Sequence, residues 1–143
     1  MRSDPAFIDW QAGAVIDPAE RWPTWHELLR SVVGRGVRVR RARIVSEPIS
    51  DYVRYEYDVT DGLNIAAGEQ VRWLPRRQAS GLAVPGNDFW LFDGTRLLVN
   101  HFDGDGESTG HELVEDPVVV KFCASSFEAV WDLAVPHADY RPS

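Results

Sequence analysis

The sequence predicts a single α+β domain, in which a mixed or antiparallel β-sheet with a β-hairpin meander is flanked by an N-terminal helix and a C-terminal helix. The chain has 143 residues, close to the usual size of one domain. Apolar residues recur with helical spacing near both ends, and short β-patterned segments separated by turn residues fill the middle. We therefore expect one domain over residues 1–143, with residues 1–16 as an irregular arm that carries Phe7, Ile8 and Trp10 and docks by its aromatic residues.

The first predicted helix covers residues 24 to 33. Thr24 and Glu27 have the spacing of a capping box, in which each side chain accepts a hydrogen bond from a backbone N–H at the start of the helix. Apolar residues then recur on one helical face, and Gly34 stands where a left-handed residue would end the helix. Upstream, Asp17-Pro18 predicts a short additional turn of helix, because proline is favoured at the first helical position.

The next part of the chain combines a strand with a segment that fits two patterns. Residues 37–45 predict a strand with a bulge near Arg40-Arg41, because the apolar positions change phase there. Ser46-Glu47-Pro48 ends this strand, since proline has no N–H to donate to a ladder. Residues 50–60 alternate apolar and polar residues as a strand does, yet Ser50 can cap a helix and the spacing also fits a helical face. We favour the helix.

A hairpin is the clearest β-signal in the second half of the chain. Asp93-Gly94 separates two apolar runs, which is the strongest short-range indication of a tight turn between antiparallel strands. The strands predicted for this half cover residues 70–74, 89–92, 97–102 and 112–114.

The last predicted helix begins at Asp116-Pro117 and ends before Pro136, since aspartate caps a helix and proline suits its first turn. Its buried stripe is expected to consist of Val119, Cys123, Phe127, Val130, Trp131 and Ala134. Cys123 is the only cysteine and cannot form an internal disulfide, which indicates a reducing compartment such as the cytoplasm.

Charge is unevenly distributed along the chain, whose net charge is −7. Residues 35–79 carry nine arginines and six acids, whereas residues 80–143 carry three bases and eleven acids. Arginine presents planar, forked donors that suit carboxylate or phosphate groups. An acidic chain is poorly suited to the phosphate backbone of nucleic acid, and no apolar run approaches the ~20 residues of a transmembrane helix. We therefore expect a protein partner or an anionic small molecule, and no direct binding to nucleic acid or to a membrane.

The sequence contains no motif for a catalytic nucleophile, a metal cage or a cofactor, and we expect no catalytic residue, no metal and no cofactor. His101, His111 and Glu112 are better explained as exposed strand residues than as metal ligands, because they lack the short spacing of paired histidine ligands.

Polar and aromatic residues near predicted strand ends are the remaining candidates, since loops at strand ends are common functional positions. We expect the loops after Val45 and Gly68 to meet at one end of the sheet, which would bring Glu47 close to Glu69. Asp88 and Asp93 also fit simple turn chemistry at the two ends of a hairpin strand. The candidate residues for binding a ligand or partner are Arg43, Glu47, Tyr52, Glu69, Arg72, Arg76, Asp88, Trp90 and Asp93.

Several of these residues lie in segments that together are similar to one known family. The segments are Arg41 to Tyr52, Ala67 to Glu69, Arg72 to Arg76, Pro85 to Asp93, and Phe127 to Tyr140. Over residues 20–143 the chain resembles the actinobacterial domain of unknown function 6879. Many members of that family are encoded near helix-turn-helix regulators. The resemblance therefore implies a small regulatory or interaction module that works with such a DNA-binding regulator, and it implies no particular reaction.

The predicted order of strand, helix, strand and hairpin is also faintly similar to one half of a phospholipase D-like fold. That superfamily uses a His-x-Lys pair, whereas the nearest segment here, His101-Phe102-Asp103, has no lysine. Our first interpretation of the sequence is a non-catalytic regulatory or interaction module. The alternative is an enzyme, or a degenerate phospholipase D-like domain, that acts on or binds a phosphorylated or anionic small molecule.

Overall fold

Four of the five helices begin at a proline, and an aspartate precedes three of these prolines. The structure is a computed structural model that describes residues 1–143. Asp4, Asp17 and Asp116 each accept a hydrogen bond from the backbone N–H two residues further on, which satisfies a donor that the helix leaves free. The helices are α1 (Pro5–Gln11), α2 (Pro18–Arg21), α3 (Pro23–Gly34), α4 (Asp51–Thr60) and α5 (Pro117–Leu133).

The strands form two separate three-stranded sheets. They are β1 (Arg40–Val45), β2 (Gln70–Pro75), β3 (Asp88–Phe92), β4 (Arg96–Phe102), β5 (Ser108–Val114) and β6 (Val135–Pro136). In the mixed sheet, β1 and β2 are parallel and β6 is antiparallel to β2. In the meander, β3, β4 and β5 are antiparallel neighbours. The α+β class is confirmed, and the mixed sheet and the meander are separate where the sequence analysis expected one sheet.

Helices cover both faces of the mixed sheet. On one face, Val53 and Tyr57 of α4 pack against buried Trp73 of β2. On the other face, Val130 of α5 packs against Leu74, the neighbour of Trp73 in β2. Both β2 side chains are fully buried, as expected for a strand with two covered faces. The first half of α5 also covers the inner face of the meander. On the outer face, Trp90 of β3 contacts Trp25 of α3, whereas Leu113 of β5 is exposed.

The expectation of an irregular arm over residues 1–16 is wrong, because this segment contains α1. Asp4-Pro5 carries the same helix-start signal as Asp17-Pro18, and the signal is effective at both positions. The expected docking by aromatic rings is found for Phe7, which is buried with its ring centroid 5.1 Å from that of Tyr52. Trp10 stacks on Phe7 with ring centroids 6.0 Å apart, and Ile8, which is not aromatic, is half exposed.

The first predicted helix is confirmed as α3, but both of its predicted ends differ. The helix begins at Pro23 after Trp22, with no side-chain hydrogen bond at its cap, so Thr24 lies inside the first turn and forms no capping box. Proline at the first position sets the start, because its φ already suits a helix. At the other end, the left-handed residue is Gly36, with φ of 88°, and Gly34 is still helical.

The predicted strand at residues 37–45 is shorter than expected and has no bulge. β1 begins at Arg40 and pairs with β2 residue for residue, from Arg40 opposite Gln70 to Val45 opposite Pro75. The change of phase in the apolar pattern arises because both faces of β1 are covered, so apolar residues are accepted on either face. The register shift in the structure lies in the meander, between His101 and Phe102.

The other predicted elements are confirmed, with one correction inside α5. The segment 50–60 is helical, and the strands predicted over residues 70–74, 89–92 and 97–102 match β2 to β4, whereas β5 begins at Ser108, four residues before the predicted strand at 112–114. In α5, Val119 is 40% exposed, and the buried residue is its neighbour Val120, which packs with Cys123 and Leu97. The true stripe therefore starts one residue later than predicted. None of the helices is long and apolar enough to cross a membrane.

Candidate functional site

The candidate site is built on the alternation of side chains along β1. Successive residues of a strand point to opposite faces of the sheet. Arg40 therefore extends toward α5, where its guanidinium lies over the ring of Phe127. Arg41 and Arg43 extend to the opposite face, toward α4. Buried cations need partners, so the surroundings of these two arginines decide what the face can do.

Arg41 is held by a buried carboxylate. Its Nε donates to Oε1 of Glu69, whose side chain is completely buried, and Asn64 donates to the other oxygen of Glu69 at 2.7 Å. The guanidinium also lies 4.8 Å from the centre of the Trp90 ring. Burial lowers the pKa of Arg41, and the positive charge of Arg43 lowers it further. The terminal amino groups of Arg41 donate to no protein acceptor and are accessible from the neighbouring cavity.

Arg43 is less completely paired than Arg41. Its Nη1 forms an ion pair with Oε1 of Glu56 at 3.1 Å, and its guanidinium lies over the ring of Trp73 at 5.3 Å. The Nε of Arg43 is buried and is the only buried side-chain polar atom of the protein that lacks a hydrogen-bond partner. A donor left in this state is costly, by about 1–3 kcal/mol.

Both arginines line a cavity of about 340 Å³, which we name the arginine pocket. Its aromatic walls come from α3, α4, β3 and the segment before α3, and its acidic groups come from Asp4 and Glu56. The indole rings of Trp25 and Trp90 lie 6.0 Å apart at one side. The aromatic residues that line the pocket are Trp22, Trp25, Tyr52, Tyr55 and Trp90.

The two tyrosines of the pocket are hydrogen-bond donors at neutral pH. Burial raises the pKa of Tyr52 to about 12, and the carboxylates of Glu56 and Asp4 raise it as well. Burial and the charge of Asp4 raise the pKa of Tyr55 in the same direction. The Tyr55 hydroxyl donates to Oδ2 of Asp4 at 3.2 Å, which ties the start of α1 to α4. The pocket therefore offers guanidinium and phenol donors beside aromatic rings.

Three of the sequence-predicted residues meet in this pocket: Arg43, Tyr52 and Trp90. A fourth, Glu69, lies behind it and acts on it through Arg41. The structure does not bring Glu47 close to Glu69. Because β1 and β2 are parallel, the end of β1 and the start of β2 lie at opposite edges of the sheet.

Glu47 lies at the other edge of the sheet and holds the C-terminal segment. Its Oε2 accepts hydrogen bonds from the Tyr140 hydroxyl at 3.0 Å and from the Ser143 hydroxyl at 3.2 Å. Tyr140 is buried and stacks on Trp73, with ring centroids 5.4 Å apart. These contacts give Glu47 a structural role in the packing of residues 140–143.

The other predicted residues also lie outside the pocket. Arg72 faces α5, where it stacks on Trp131 at 4.3 Å and donates to its carbonyl oxygen at 3.0 Å. Arg76 donates to the Ser46 hydroxyl at 3.1 Å, at the same edge of the sheet as Glu47. Asp88 and Asp93 are exposed at the two ends of the β3 segment. Asp93 has a φ of 53°, which is typical of a tight turn.

The prediction of binding residues left out several that line the pocket. The arginine-rich strand drew attention to Arg41, but nothing in the local sequence shows that it shares a buried carboxylate with Asn64. Glu56 could have been found, because it follows Tyr52 by four residues and thus shares a face of a helix. Trp25 could not, since its contact with Trp90 joins distant parts of the chain.

A second surface is the outer face of the meander. Trp90, Leu98 and Leu113 lie directly opposite one another on β3, β4 and β5 and therefore point to the same face. Leu113 is 61% exposed, and Phe92 at the end of β3 is 48% exposed. His101 and His111 do not share a site: His101 lies 3.1 Å from Glu112, whereas His111 contacts Asn100 on the opposite face.

Comparisons with known proteins place the whole chain in one family. No curated protein and no solved structure gives a significant match. The family described as "Domain of unknown function (DUF6879)" matches residues 1–142, which include α1 as well as both sheets. This chain therefore belongs to the DUF6879 family.

Proposed function

We propose that this domain is a non-catalytic recognition module that binds an anionic group in the arginine pocket. The observation that carries the proposal is the pair Arg41 and Arg43. They lie on one face of β1, two residues apart, and line the same cavity, and the terminal amino groups of Arg41 have no protein acceptor. Like charges at this spacing repel one another, and an anion placed between them relieves that repulsion.

The chemistry of arginine supports this proposal. A guanidinium has five N–H donors in a planar fork, and Glu69 occupies only the Nε side of Arg41. A carboxylate or phosphate can therefore use the free side, and charge-assisted hydrogen bonds of this kind are stronger than neutral ones. The indole of Trp90 holds the Arg41 guanidinium in place from below, so little side-chain freedom is lost on binding.

The proposal is tested by titrating the protein with benzoate and phenylphosphate, which combine an anion with one aromatic ring. Binding is followed by calorimetry and by tryptophan fluorescence. Arg43→Gln should weaken binding by at least about tenfold, equal to ~1.4 kcal/mol. The matched control is Arg96→Gln, because Arg96 is a surface arginine paired with Glu115. If neither benzoate nor phenylphosphate binds, or if Arg43→Gln and Arg96→Gln reduce the affinity equally, the pocket is not an anion site.

A second candidate function is protein recognition by the outer face of the meander. Residues 80–143, which include all three meander strands, carry eleven acids and three bases. The acidic charge of this segment as a whole, most of which lies outside the three strands, favours a basic partner, and the exposed Leu113 and Phe92 favour an apolar centre for the contact. We propose that a basic segment of a DNA-binding regulator docks here, and that the domain reaches DNA only through that partner.

This docking is tested with a peptide of alternating lysine and leucine and its glutamate–leucine counterpart. The basic peptide should perturb the amide resonances of β5, and the effect should fall with rising salt and with Leu113→Asn. The acidic peptide serves as the control. Equal perturbation by both peptides, or none by the basic one, would rule out a charge-selective docking face.

Origin, location and ancestry are also proposals. The predominance of arginine over lysine supports an actinobacterial source, and the lone buried thiol of Cys123 supports a cytoplasmic location. Descent from a phospholipase D-like half-domain is supported only by the order strand, helix, strand and hairpin. If the domain were instead an active phospholipase D-like enzyme, it would hydrolyse an aromatic phosphodiester, and His101→Asn would abolish this activity. We expect no hydrolysis.

A further inference from the structure

The arginine pocket contains carboxylates as well as arginines. Asp4 lines it from the start of α1, and Glu56 lines it from α4. Asp4 accepts one hydrogen bond on each oxygen, from the Ala6 N–H at 2.9 Å and from the Tyr55 hydroxyl at 3.2 Å. A carboxylate can accept about four hydrogen bonds, so Asp4 retains capacity for a ligand.

The negative charges of Asp4 and Glu56 influence the other groups that line the pocket. The charges of both Glu56 and Asp4 contribute to the raised pKa of Tyr52, which lines the same pocket. An anion with no positive charge would gain from the two guanidiniums and lose against the two carboxylates. A ligand that also carries a cation would gain at both places.

Aromatic rings strengthen the case for a cationic group on the ligand. Tyr52 and Tyr55 have ring centroids 5.8 Å apart and lie next to Asp4 and Glu56 in the pocket lining. An ammonium group close to an aromatic face is attracted by its quadrupole. The volume of about 340 Å³ is near the lower limit for small-molecule sites, which is roughly 300 Å³. The ligand is therefore a small one.

We infer that the arginine pocket recognises a small zwitterion, with its anionic group between Arg41 and Arg43, its cationic group beside Asp4 or Glu56, and an apolar or planar part against the aromatic walls. An amino acid with a large apolar side chain is the simplest member of this class. The inference rests on the proposed anion site and adds the requirement for a positive charge on the ligand.

Three compounds that share one phenyl ring separate the charges. Phenylalanine is the zwitterion, phenylpropionate lacks the ammonium group, and phenethylamine lacks the carboxylate. Calorimetry at pH 7 with the unmodified protein should show phenylalanine binding at least about tenfold more tightly than either single-charge compound. Equal binding of phenylalanine and phenylpropionate overturns the zwitterion inference and leaves the anion site intact. Absence of binding by all three, together with absence of benzoate binding, overturns both.

Two variants assign the cationic contact. Glu56→Gln and Asp4→Asn keep the size of the side chain, and asparagine is itself a good helix N-cap. At least one of them should abolish the preference for phenylalanine over phenylpropionate, because loss of the carboxylate weakens the ammonium contact and relieves the repulsion of phenylpropionate. The matched control is Glu115→Gln, which removes a surface carboxylate paired with Arg96. Should neither variant reduce the preference for phenylalanine, the assignment of the cation to these carboxylates is wrong.

Discussion

The two sheets of this protein use arginine in opposite ways. Four arginines of the mixed sheet each lie over an aromatic ring, at 4.3–5.3 Å from its centre: Arg40, Arg41, Arg43 and Arg72. The meander has one arginine, Arg96, whose side chain is 65% exposed and pairs with Glu115 at the surface. The mixed sheet is covered on both faces, so its cations must be stacked and paired. The outer face of the meander is covered at Trp90 and exposed at Phe92 and Leu113, and Arg96 of this sheet is solvated.

This difference separates structural arginines from candidate binding arginines. Arg40 and Arg72 face α5, where both guanidiniums pack on the ring of Trp131. Arg41 and Arg43 face a cavity and keep unused donors. An arginine of this sheet is therefore a candidate binding residue only where its side chain lines a cavity.

The largest expected effect on stability comes from removing the Trp131 ring, on which the arginines of the mixed sheet stack at the α5 face. Trp131→Ala removes a buried ring that contacts Phe127 and two guanidiniums, and it should lower the free energy of unfolding by about 3–5 kcal/mol. Phe92→Ala on the outer face of the meander is the matched control, since Phe92 is 48% exposed and should cost much less. Urea denaturation measures both. Similar losses would mean that the outer meander face is covered and that the comparison fails.

The next effect tests the buried carboxylate. Glu69→Gln keeps the shape of the side chain but leaves Arg41 without its counter-charge, and breaking a buried pair typically costs about 3–5 kcal/mol. We expect the lower end of this range, because Arg41 is open to the pocket. Glu115→Gln breaks a surface pair and should cost about 0–1 kcal/mol. A loss below about 1 kcal/mol for Glu69→Gln would show that Arg41 does not depend on this partner.

The sequence predicts the local features of this fold better than its site. Helix starts such as Asp116-Pro117 and the turn at Asp93-Gly94 are local, because the residues that form them are adjacent in the chain. The same signal at Asp4-Pro5 was available and would have placed α1 correctly. The prediction applied this signal at Asp17-Pro18, where the helix is shorter, but not at Asp4-Pro5.

The pocket depends on long-range pairing that no local pattern specifies. The parallel alignment of β1 with β2 places Glu69 behind Arg41 and puts Glu47 at the far edge. An alternating pattern identifies a strand but not its neighbour or direction. The strand that carries Arg43 and the helix that carries Tyr52 were therefore predictable, whereas the group that each side chain contacts was not.

A smaller effect follows from the structural role of Glu47. Glu47→Gln weakens charge-assisted hydrogen bonds from Tyr140 and Ser143, and it should lower the free energy of unfolding by about 1.5–3 kcal/mol. Benzoate binding should be unchanged, because Glu47 lies at the opposite edge of the sheet from the pocket residues. Thermal melting and calorimetry on the same sample test both statements. Unchanged melting with lost binding would restore Glu47 as a binding residue.

A pH effect is expected from His137, which is buried beside Trp73. The Trp73 indole donates to Nδ1 of His137 at 2.9 Å, so the ring is neutral with its proton on Nε2, 3.4 Å from Asp61. Burial lowers the pKa of His137 below its ordinary value of 6.5. The unfolded chain then binds the proton more readily, so the free energy of unfolding should fall as pH drops below about 6.5 and should not depend on this group above about 7.5.

Denaturant titrations between pH 5 and 8 measure this dependence. His137→Gln is the control, because glutamine can still accept a hydrogen bond from Trp73 but does not titrate. The variant should show a flatter profile between about pH 5 and 7, whatever its overall stability. If the free energy of unfolding depends on pH equally in the two proteins, the pKa of His137 is not lowered by burial in the folded protein.

The smallest expected effect concerns the open face of the meander. Leu113 is 61% exposed on β5, whereas Leu97 on the neighbouring strand points to the inner face and is fully buried against α5. Leu97→Ala should therefore cost about 2–5 kcal/mol, and Leu113→Ala should change the free energy of unfolding by no more than about 0.5 kcal/mol. Because both substitutions remove the same atoms, the difference between them isolates burial from residue type. A cost above about 1 kcal/mol for Leu113→Ala would mean that this face is already covered in solution, and it would remove the free surface on which partner docking depends.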